Sequence, residues 1–288
     1  MERGPEGYRF QYKIMLYILF YIPTLIFARW VRWKKLRSVS ELEYYAWFYD
    51  KYSEFVMQVR KGAARWPALE AVYNWCPSKK GIWGILENFW MNVRSAQALR
   101  NRKQIVVKLI REAVLEKIRT DGEARILSLA CGSAQSVFEA IEGIDENVSV
   151  LAIDVDETAI EYSKKLAVKY GIKNIEWRKG NLVRPGSTAK DFEPNIVEIV
   201  GLFDYLKDSM IVRLIHSIEA MSTRGAVLVS AHIHPNSEMY FLADIADWDM
   251  IYRPLPEFKR IIREGGIEEA KFYTEPHGIF SIVRGVIS

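Results

Sequence analysis

Arg125-Ile126-Leu127-Ser128-Leu129-Ala130-Cys131-Gly132-Ser133-Ala134-Gln135-Ser136 joins two kinds of residue in one short stretch. Ile126, Leu127 and Leu129 follow one another without an interleaved charge beyond Arg125, the composition of a parallel strand covered on both faces. Ala130, Gly132, Ser133 and Ala134 are small enough to let a ligand approach the backbone, and a helix is expected to open near Gln135 or Ser136. Strand, small-residue turn and helix start make the first unit of a nucleotide-binding α/β fold, because free amides at such a turn attract polar or anionic ligand atoms. Taken alone, the turn is equally compatible with close packing of a helix on a strand.

The segments downstream extend the pattern. Val148-Ser149-Val150-Leu151-Ala152-Ile153-Asp154 reads as a second apolar strand. Its last residue, Asp154, lies about twenty residues past the turn, where such folds place a carboxylate on ribose hydroxyls. Asp154 could also cap the next helix, a role open to Asp156 and Thr158. A helix over 156–170 ending at Gly171, a third strand over 174–179 ending at Gly180-Asn181 and a fourth strand over 195–201 come next. A helix is then expected from about residue 202 to 222 with Asp204 as its N-terminal cap, followed by a fifth strand over 226–231 that delivers His232 and His234 to the same sheet edge. A helix over 257–265 and an antiparallel hairpin over 267–287, turning at Glu275-Pro276-His277-Gly278, complete the order. The expected fold class is α/β: a Rossmann-like sheet of seven strands over residues 122–288, mostly parallel, with an antiparallel C-terminal hairpin.

Ser128-Leu129-Ala130-Cys131-Gly132-Ser133-Ala134 resembles the strand-one motif of the class I methyltransferases that use S-adenosylmethionine, acidic-x-Gly-x-Gly-x-Gly. The central Gly132 is kept, while Ser128 stands for the acid and Ala130 and Ala134 for the outer glycines. These departures leave open how the methionine amino group is held, and they argue against a dinucleotide, whose pyrophosphate needs a glycine-lined approach. The resemblance covers residue 125 to the C-terminus and implies S-adenosylmethionine as cofactor. The positions it implies for cofactor binding are Ala130, Cys131, Gly132, Ser133, Asp154, Val155, Gly180, Asn181, Leu182, Gly201, Phe203 and Asp204. Asn181 falls where the family usually has an acid for the adenine amino group, with Leu182 against the ring, although Gly180-Asn181 also suits a plain turn.

A narrower resemblance lies in Gly201-Leu202-Phe203-Asp204-Tyr205-Leu206, the strand-one turn, Arg100-Asn101-Arg102 and Asp247-Trp248-Asp249-Met250-Ile251-Tyr252-Arg253. These segments are similar to bacterial methyltransferases that make hydroxy-fatty-acid methyl esters. That likeness implies O-methylation of a lipid-like acceptor at a carboxylate or hydroxyl, with Arg102, Tyr252 and Arg253 as substrate-binding residues; a small phenolic acceptor suits an apolar pocket equally. An ionised carboxylate needs no general base, leaving His232, His234, Tyr205 or Arg253 to position it, whereas a hydroxyl, amine or carbon would call on one histidine as base. Zinc is disfavoured, because no cysteine or second histidine pair accompanies His232 and His234 at ligand spacing.

The N-terminal part is of a different kind. Residues 14–28 form an uncharged apolar run, slightly short of the ~17 to 25 residues a spanning helix needs. Aromatics flank it, and Arg29, Arg32, Lys34, Lys35 and Arg37 follow, the pattern of interface anchors with a positive cytoplasmic flank. Residues 1–37 are therefore expected to form a hydrophobic arm touching or crossing a membrane, with the enzyme on its cytoplasmic side; packing of the arm on a soluble cytoplasmic enzyme is the alternative. Residues 38–121 read as an aromatic-rich helical cap with a start at 40–43 and breaks at Trp66-Pro67, Cys76-Pro77 and 81–84, placed to build an apolar tunnel over the sheet edge.

Composition adds limits. The chain has 288 residues, half of them hydrophobic, and a net charge of +4, which is weak evidence for nucleic acid. Its two cysteines, Cys76 and Cys131, offer neither a disulfide framework nor metal spacing. An RNA-modifying methyltransferase is the competing enzymatic reading, but the chain has no Asn-Pro-Pro-Tyr type motif and its basic cluster adjoins an apolar run. A non-catalytic S-adenosylmethionine-binding module is the third, resting on Ser128, Ala130 and Ala134.

Overall fold

The computed structural model describes residues 17–37, 53–144, 147–181 and 185–287. Leu182, the expected helix start at 40–43 and the aromatics at 8–12 and 44–52 lie outside the described residues. Seven strands, β1 (Ala124–Leu129), β2 (Val148–Asp154), β3 (Ile175–Lys179), β4 (Ile196–Val200), β5 (Val227–Ile233), β6 (Ala270–Thr274) and β7 (Phe280–Val286), form one sheet. Their order is β3-β2-β1-β4-β5-β7-β6. β1 to β5 are parallel to their neighbours, and β7 runs antiparallel to both β5 and β6. Strand order reverses direction between β1 and β4, which in open α/β sheets opens a crevice at the carboxyl ends.

The apolar runs reflect burial on both faces. Ile126, Val150, Ile196 and Val229 pack on one face with Val106, Leu109, Ile110 and Val114. Leu127, Leu129, Leu151 and Val197 pack on the other with Leu214, Ile218, Phe258 and Ile261. The first group of helical residues belongs to a long helix, Arg94–Asp121, which ends at Gly122 in the left-handed conformation (φ 81°) that glycine adopts without a Cβ penalty. The N-terminal turns of this helix lie against the cap and carry Arg102 to the site.

Among the described residues the α-helices of six residues or more are, in chain order, α1 (Ile22–Arg37), α2 (Glu54–Lys61), α3 (Trp66–Tyr73), α4 (Gly81–Met91), the long α5 just described, α6 (Gln135–Ile141), α7 (Glu157–Tyr170), α8 (Asp208–Glu219), α9 (Met239–Asp244) and α10 (Leu255–Glu264). Three expectations are corrected. Trp66-Pro67 opens α3 rather than breaking a helix, because proline at the first turn removes only an amide that would lack a partner. Residues 81–84 are likewise the first turn of α4. Asp204 does not cap a helix over 204–222: a single 3₁₀ turn, Phe203–Tyr205, comes first and α8 starts at Asp208. The Asp204 side chain is drawn instead to β5, where the Ile233 amide donates to it at 2.9 Å.

The N-terminal arm is docked. Tyr21, Ala28 and Val31 are buried, α1 packs against α9, and Tyr21 Oη donates to Glu238 Oε1 at 2.6 Å. Glu238 also accepts from the Arg94 and Ser95 amides at the start of α5, so arm, cap and catalytic half meet on one buried carboxylate. No helix among the described residues is long and apolar enough to cross a membrane.

Candidate active site

The turn after β1 holds three consecutive alternate residues with positive φ: Ala130 (53°), Gly132 (52°) and Ala134 (56°). Left-handed backbone penalises any Cβ, and alanine keeps that penalty to the smallest side chain, so Ala130 and Ala134 hold the shape glycines would have held. Ala134 N donates to Cys131 O at 2.7 Å and Cys131 N to Ile153 O at 3.1 Å, fastening the turn to β2.

Asp154, at the end of β2, is buried and faces this turn. Its Oδ2 accepts the Gly132 amide and its Oδ1 the Asp156 amide, both at 2.9 Å. Capping of α7 falls to Asp156, whose Oδ1 accepts the Thr158 amide at 2.9 Å. The two roles left open for Asp154 are thereby separated: Asp156 caps, and Asp154 braces the turn at the cavity wall.

Cap helix α3 closes over the same turn. Trp66 lies so near that a Cβ on Gly132 would come within 3.3 Å of the Trp66 Cβ. Its indole donates to Thr158 Oγ1 at 3.1 Å and packs on Tyr162 with ring centroids 4.6 Å apart. One turn on, Glu70 accepts from Ser133 Oγ, from Tyr162 Oη at 3.1 Å and from Asn74 Nδ2 at 2.8 Å. Burial pushes the Glu70 carboxyl above the ordinary range despite these donors.

Between cap and sheet edge is a cavity of about 230 Å³. One side is the turn and β2 end, with Ala130, Gly132, Asp154, Val155 and Asp156. The other is mostly apolar: Leu69, Leu99, Ile233, Leu242, Met250 and Phe280, with Arg102, Gly201, Asp204, Tyr205 and Trp248 among them. A smaller hollow of about 50 Å³ adjoins it, sharing Trp66, Leu69, Ala130, Gly132 and Val200, and is lined further by Cys131, Ser133 and Glu198.

Arg102 and Asp204 face each other from α5 and the 3₁₀ turn, with Nη1 3.8 Å from Oδ2 and both side chains buried. Arg102 Nη2 donates to Tyr73 Oη at 2.8 Å, its guanidinium stands 4.7 Å from the Phe280 ring centre, and its buried Nε has no hydrogen-bond partner. Burial pushes the Asp204 carboxyl up, but His232, Arg102 and the Ile233 amide outweigh it and hold the group below the usual carboxylate range. His232 Nδ1 stands 2.9 Å from Asp204 Oδ1, the oxygen that also accepts the Ile233 amide. Burial and the Asp204 charge push the Tyr205 hydroxyl far up; it keeps its proton and accepts from Trp248 Nε1 at 2.7 Å.

Of the residues singled out from sequence, Ala130, Gly132, Asp154, Val155, Gly201, Asp204, Tyr205 and Arg102 converge on the cavity, and Cys131 and Ser133 on the hollow beside it. His232 and His234 do not line either space, because β5 alternates and presents Ile233 to the cavity. His234 is held between Arg253 O and Ser281 Oγ, each 2.7 Å from a ring nitrogen, and burial lowers its pKa. Arg253 also lies outside, donating to Asp208 Oδ1 at 2.9 Å and to the Phe203 and Leu206 carbonyls, so it fixes the 3₁₀ turn. Phe203 and Tyr252 pack beneath and beside the cavity without lining it. Gly180 donates to Asp154 O at 3.2 Å, and a Cβ there would strike Thr188 and Ile153; Asn181 is exposed, and neither residue lines the cavity or the hollow. Among the described residues no group of three or more histidines, cysteines and acids could hold a metal.

Three contributors escaped the sequence reading. Trp66 and Glu70 sit in a segment whose aromatic and proline residues signal packing and a turn, not a partner for a loop 60 residues away. Glu198 lies inside an apolar strand, where its single charge is the one signal that could have marked it.

Comparison with known proteins agrees with this arrangement. A family model described as "Putative methyltransferase" matches residues 51–285. The uncharacterized protein YnbC of Escherichia coli strain K12 is 21% identical over 230 residues, covering 76% of this chain and 39% of YnbC. The chain thus spans well under half the length of that curated relative. Among solved structures, a possible exported protein from Bordetella parapertussis superposes with TM-score 0.66 at 13% identity, covering 92% of this chain and 96% of the other. Magnesium protoporphyrin IX methyltransferase from Synechocystis PCC 6803, solved with bound S-adenosylhomocysteine (SAH), gives TM-score 0.51 at 11% identity over 82% of this chain and all of the other. A match over most of the chain, on a fold shared with methyltransferases, places this protein in that methyltransferase family.

Proposed function

We propose that the chain transfers the methyl group of S-adenosylmethionine to a carboxylate oxygen of a small or lipid-like acceptor. The cofactor, when bound, supplies a methyl group on a positively charged sulfur, and transfer is an in-line displacement. Asp154 suits the ribose hydroxyls, Ala130 and Gly132 the close approach of the nucleoside, and Val155, half exposed beside them, the adenine face. The apolar wall excludes water and aligns the acceptor chain.

The observation that carries the carboxylate reading is what the wall holds: a buried arginine with an unpartnered Nε, and no imidazole. An ionised carboxylate needs no base, only an anchor, and a guanidinium supplies a fixed fork for it. Tyr205 keeps its proton and His234 is committed to structural partners, so neither is placed to take a proton from the cavity. A hydroxyl acceptor would instead have to use Asp204, backed by His232. Incubating the protein with methyl-labelled S-adenosylmethionine and a panel of fatty and hydroxy acids tests this. Labelled product that mild base releases is an ester and supports the reading; base-stable product is an ether and overturns it in favour of Asp204. Nucleic acid is not an expected substrate, since the cavity is mostly apolar.

The exposed face of α1 suggests where such an acceptor is met. Ile22, Ile26, Trp30, Trp33 and Leu36 recur every three or four residues on its outer side, with Leu19 continuing the stripe. Arg29, Lys34 and Arg37 stand along it, and Arg37 lies 4.2 Å from the Trp33 ring centre. This combination fits a helix lying in the interface of an anionic membrane, on its cytoplasmic side. Because the inner face of α1 is buried, truncation would damage the cap, and the informative variant is Trp30→Ser with Trp33→Ser. Flotation with phosphatidylglycerol vesicles should fall for that variant; equal flotation contradicts surface binding.

A further inference from the structure

The strand-one position that resembles the family's acid carries Ser128, and the register of the sheet shows what stands beside it. Ser128 pairs directly with Glu198 across the β1–β4 ladder. Ser128 Oγ donates to Glu198 Oε2 at 2.6 Å, and both are buried. The carboxylate the motif lacks on β1 is therefore present one strand over, on the same side of the sheet.

Its surroundings are those of a group awaiting a cation. Glu198 lines the hollow of about 50 Å³ formed with residues 130–137, which opens into the main cavity past Ala130, Gly132 and Val200. Among the described residues it has no ion pair; Arg102 acts on it from longer range, and the Val200 amide and Ser128 hydroxyl are its neutral donors. A buried carboxylate so placed costs stability, and such groups concentrate where a charged ligand completes them. Of the other two buried acids beside the turn, Asp154 holds the Gly132 and Asp156 amides at the nucleoside side, and Glu70 is already committed to Ser133, Tyr162 and Asn74 and lines neither space.

We infer that Glu198, oriented by Ser128, receives the α-ammonium group of the cofactor's methionine moiety, taking the place of the strand-one acid. This rests on the proposed cofactor and adds the residue that recognises its amino-acid end. The turn places the nucleoside against Asp154, and the hollow runs from there beneath Trp66 and Leu69 towards Glu198, where the aliphatic part of the methionine would pass.

The test compares two ligands by calorimetry: SAH, which carries the ammonium, and 5′-methylthioadenosine, which keeps the nucleoside and sulfur but lacks the amino-acid end. Glu198→Gln should weaken SAH by about ten- to a hundredfold, the range of one charge-assisted hydrogen bond, and leave methylthioadenosine within about twofold. Ser128→Ala, a milder change, should weaken SAH alone by a few fold. Should Glu198→Gln bind SAH as the parent does, or lose both ligands equally, the assignment is overturned. Failure of the parent protein to bind either ligand would instead refute the cofactor reading itself.

Discussion

Replacing Glu198 by glutamine should make the unliganded protein more stable in alkaline buffer, although the same change damages ligand binding. Burial is the main cause that raises the Glu198 carboxyl from 4.5 to about 7, opposed by the Ser128 hydroxyl, the Arg102 charge and the Val200 amide. A carboxyl raised in the folded state binds its proton more tightly there than in the unfolded chain. Its favourable contribution is therefore complete below about pH 4.5 and is lost as pH rises through about 7. A shift of this size corresponds to about 3 kcal/mol at about 1.4 kcal/mol per unit. Glutamine keeps the volume and an oxygen for Ser128 but has no charge to bury. Urea denaturation of both proteins at pH 5 and pH 8, without ligand, measures the difference directly. The variant should gain about 1 to 3 kcal/mol on the parent between these pH values, with other titrating groups cancelling in the comparison. Parallel stability curves would refute the reasoning, since they would mean that Glu198 is ionised at no cost or never ionised over this range.

Two further outcomes follow from the turn and the strand beyond it. Ala134→Gly relieves a positive φ at the price of a looser unfolded chain, so denaturant midpoints should show a net gain of about 0.5 to 1 kcal/mol; a loss would mean the Ala134 methyl contributes more by packing than it costs in backbone strain. His234→Gln should lower the melting temperature, because two buried hydrogen bonds are disturbed, yet leave the rate of methyl transfer per folded molecule within a few fold; a loss of about 10²-fold or more at normal stability would return His234 to a role in proton transfer.

The parts legible in the sequence were those governed by local periodicity. Runs such as 126–129 and 148–153 announced two-faced strands because the inner strands of a parallel sheet are covered on both faces, and glycine or proline marked most of the ends. The turn and Asp154 could be placed on the site because their spacing follows from one βαβ unit. Side-chain direction was less accessible. A strand that runs two residues further than expected, to Ile233, turns His232 and His234 away and Ile233 inward, which no composition argument distinguishes. Asp204 had the local signature of a cap, but its partners, Ile233 and His232, are about thirty residues away in the chain. The clamp of Trp66 and Glu70 on the turn, and the ladder pairing of Ser128 with Glu198, are long-range contacts that become visible only once strand order and register are known.

S-adenosylmethionine chemistry at the edge formed by the turn and Asp154 is tested most directly by titration of SAH into the parent protein and Asp154→Ala. Asp154 should accept two ribose hydroxyls in charge-assisted hydrogen bonds worth about 1.5 to 3 kcal/mol each, offset by the two amides, Gly132 and Asp156, that it holds without ligand. The expected result is saturable binding to the parent and a loss of about ten- to a hundredfold in the variant. No binding to the parent, or equal affinity in both, would contradict it.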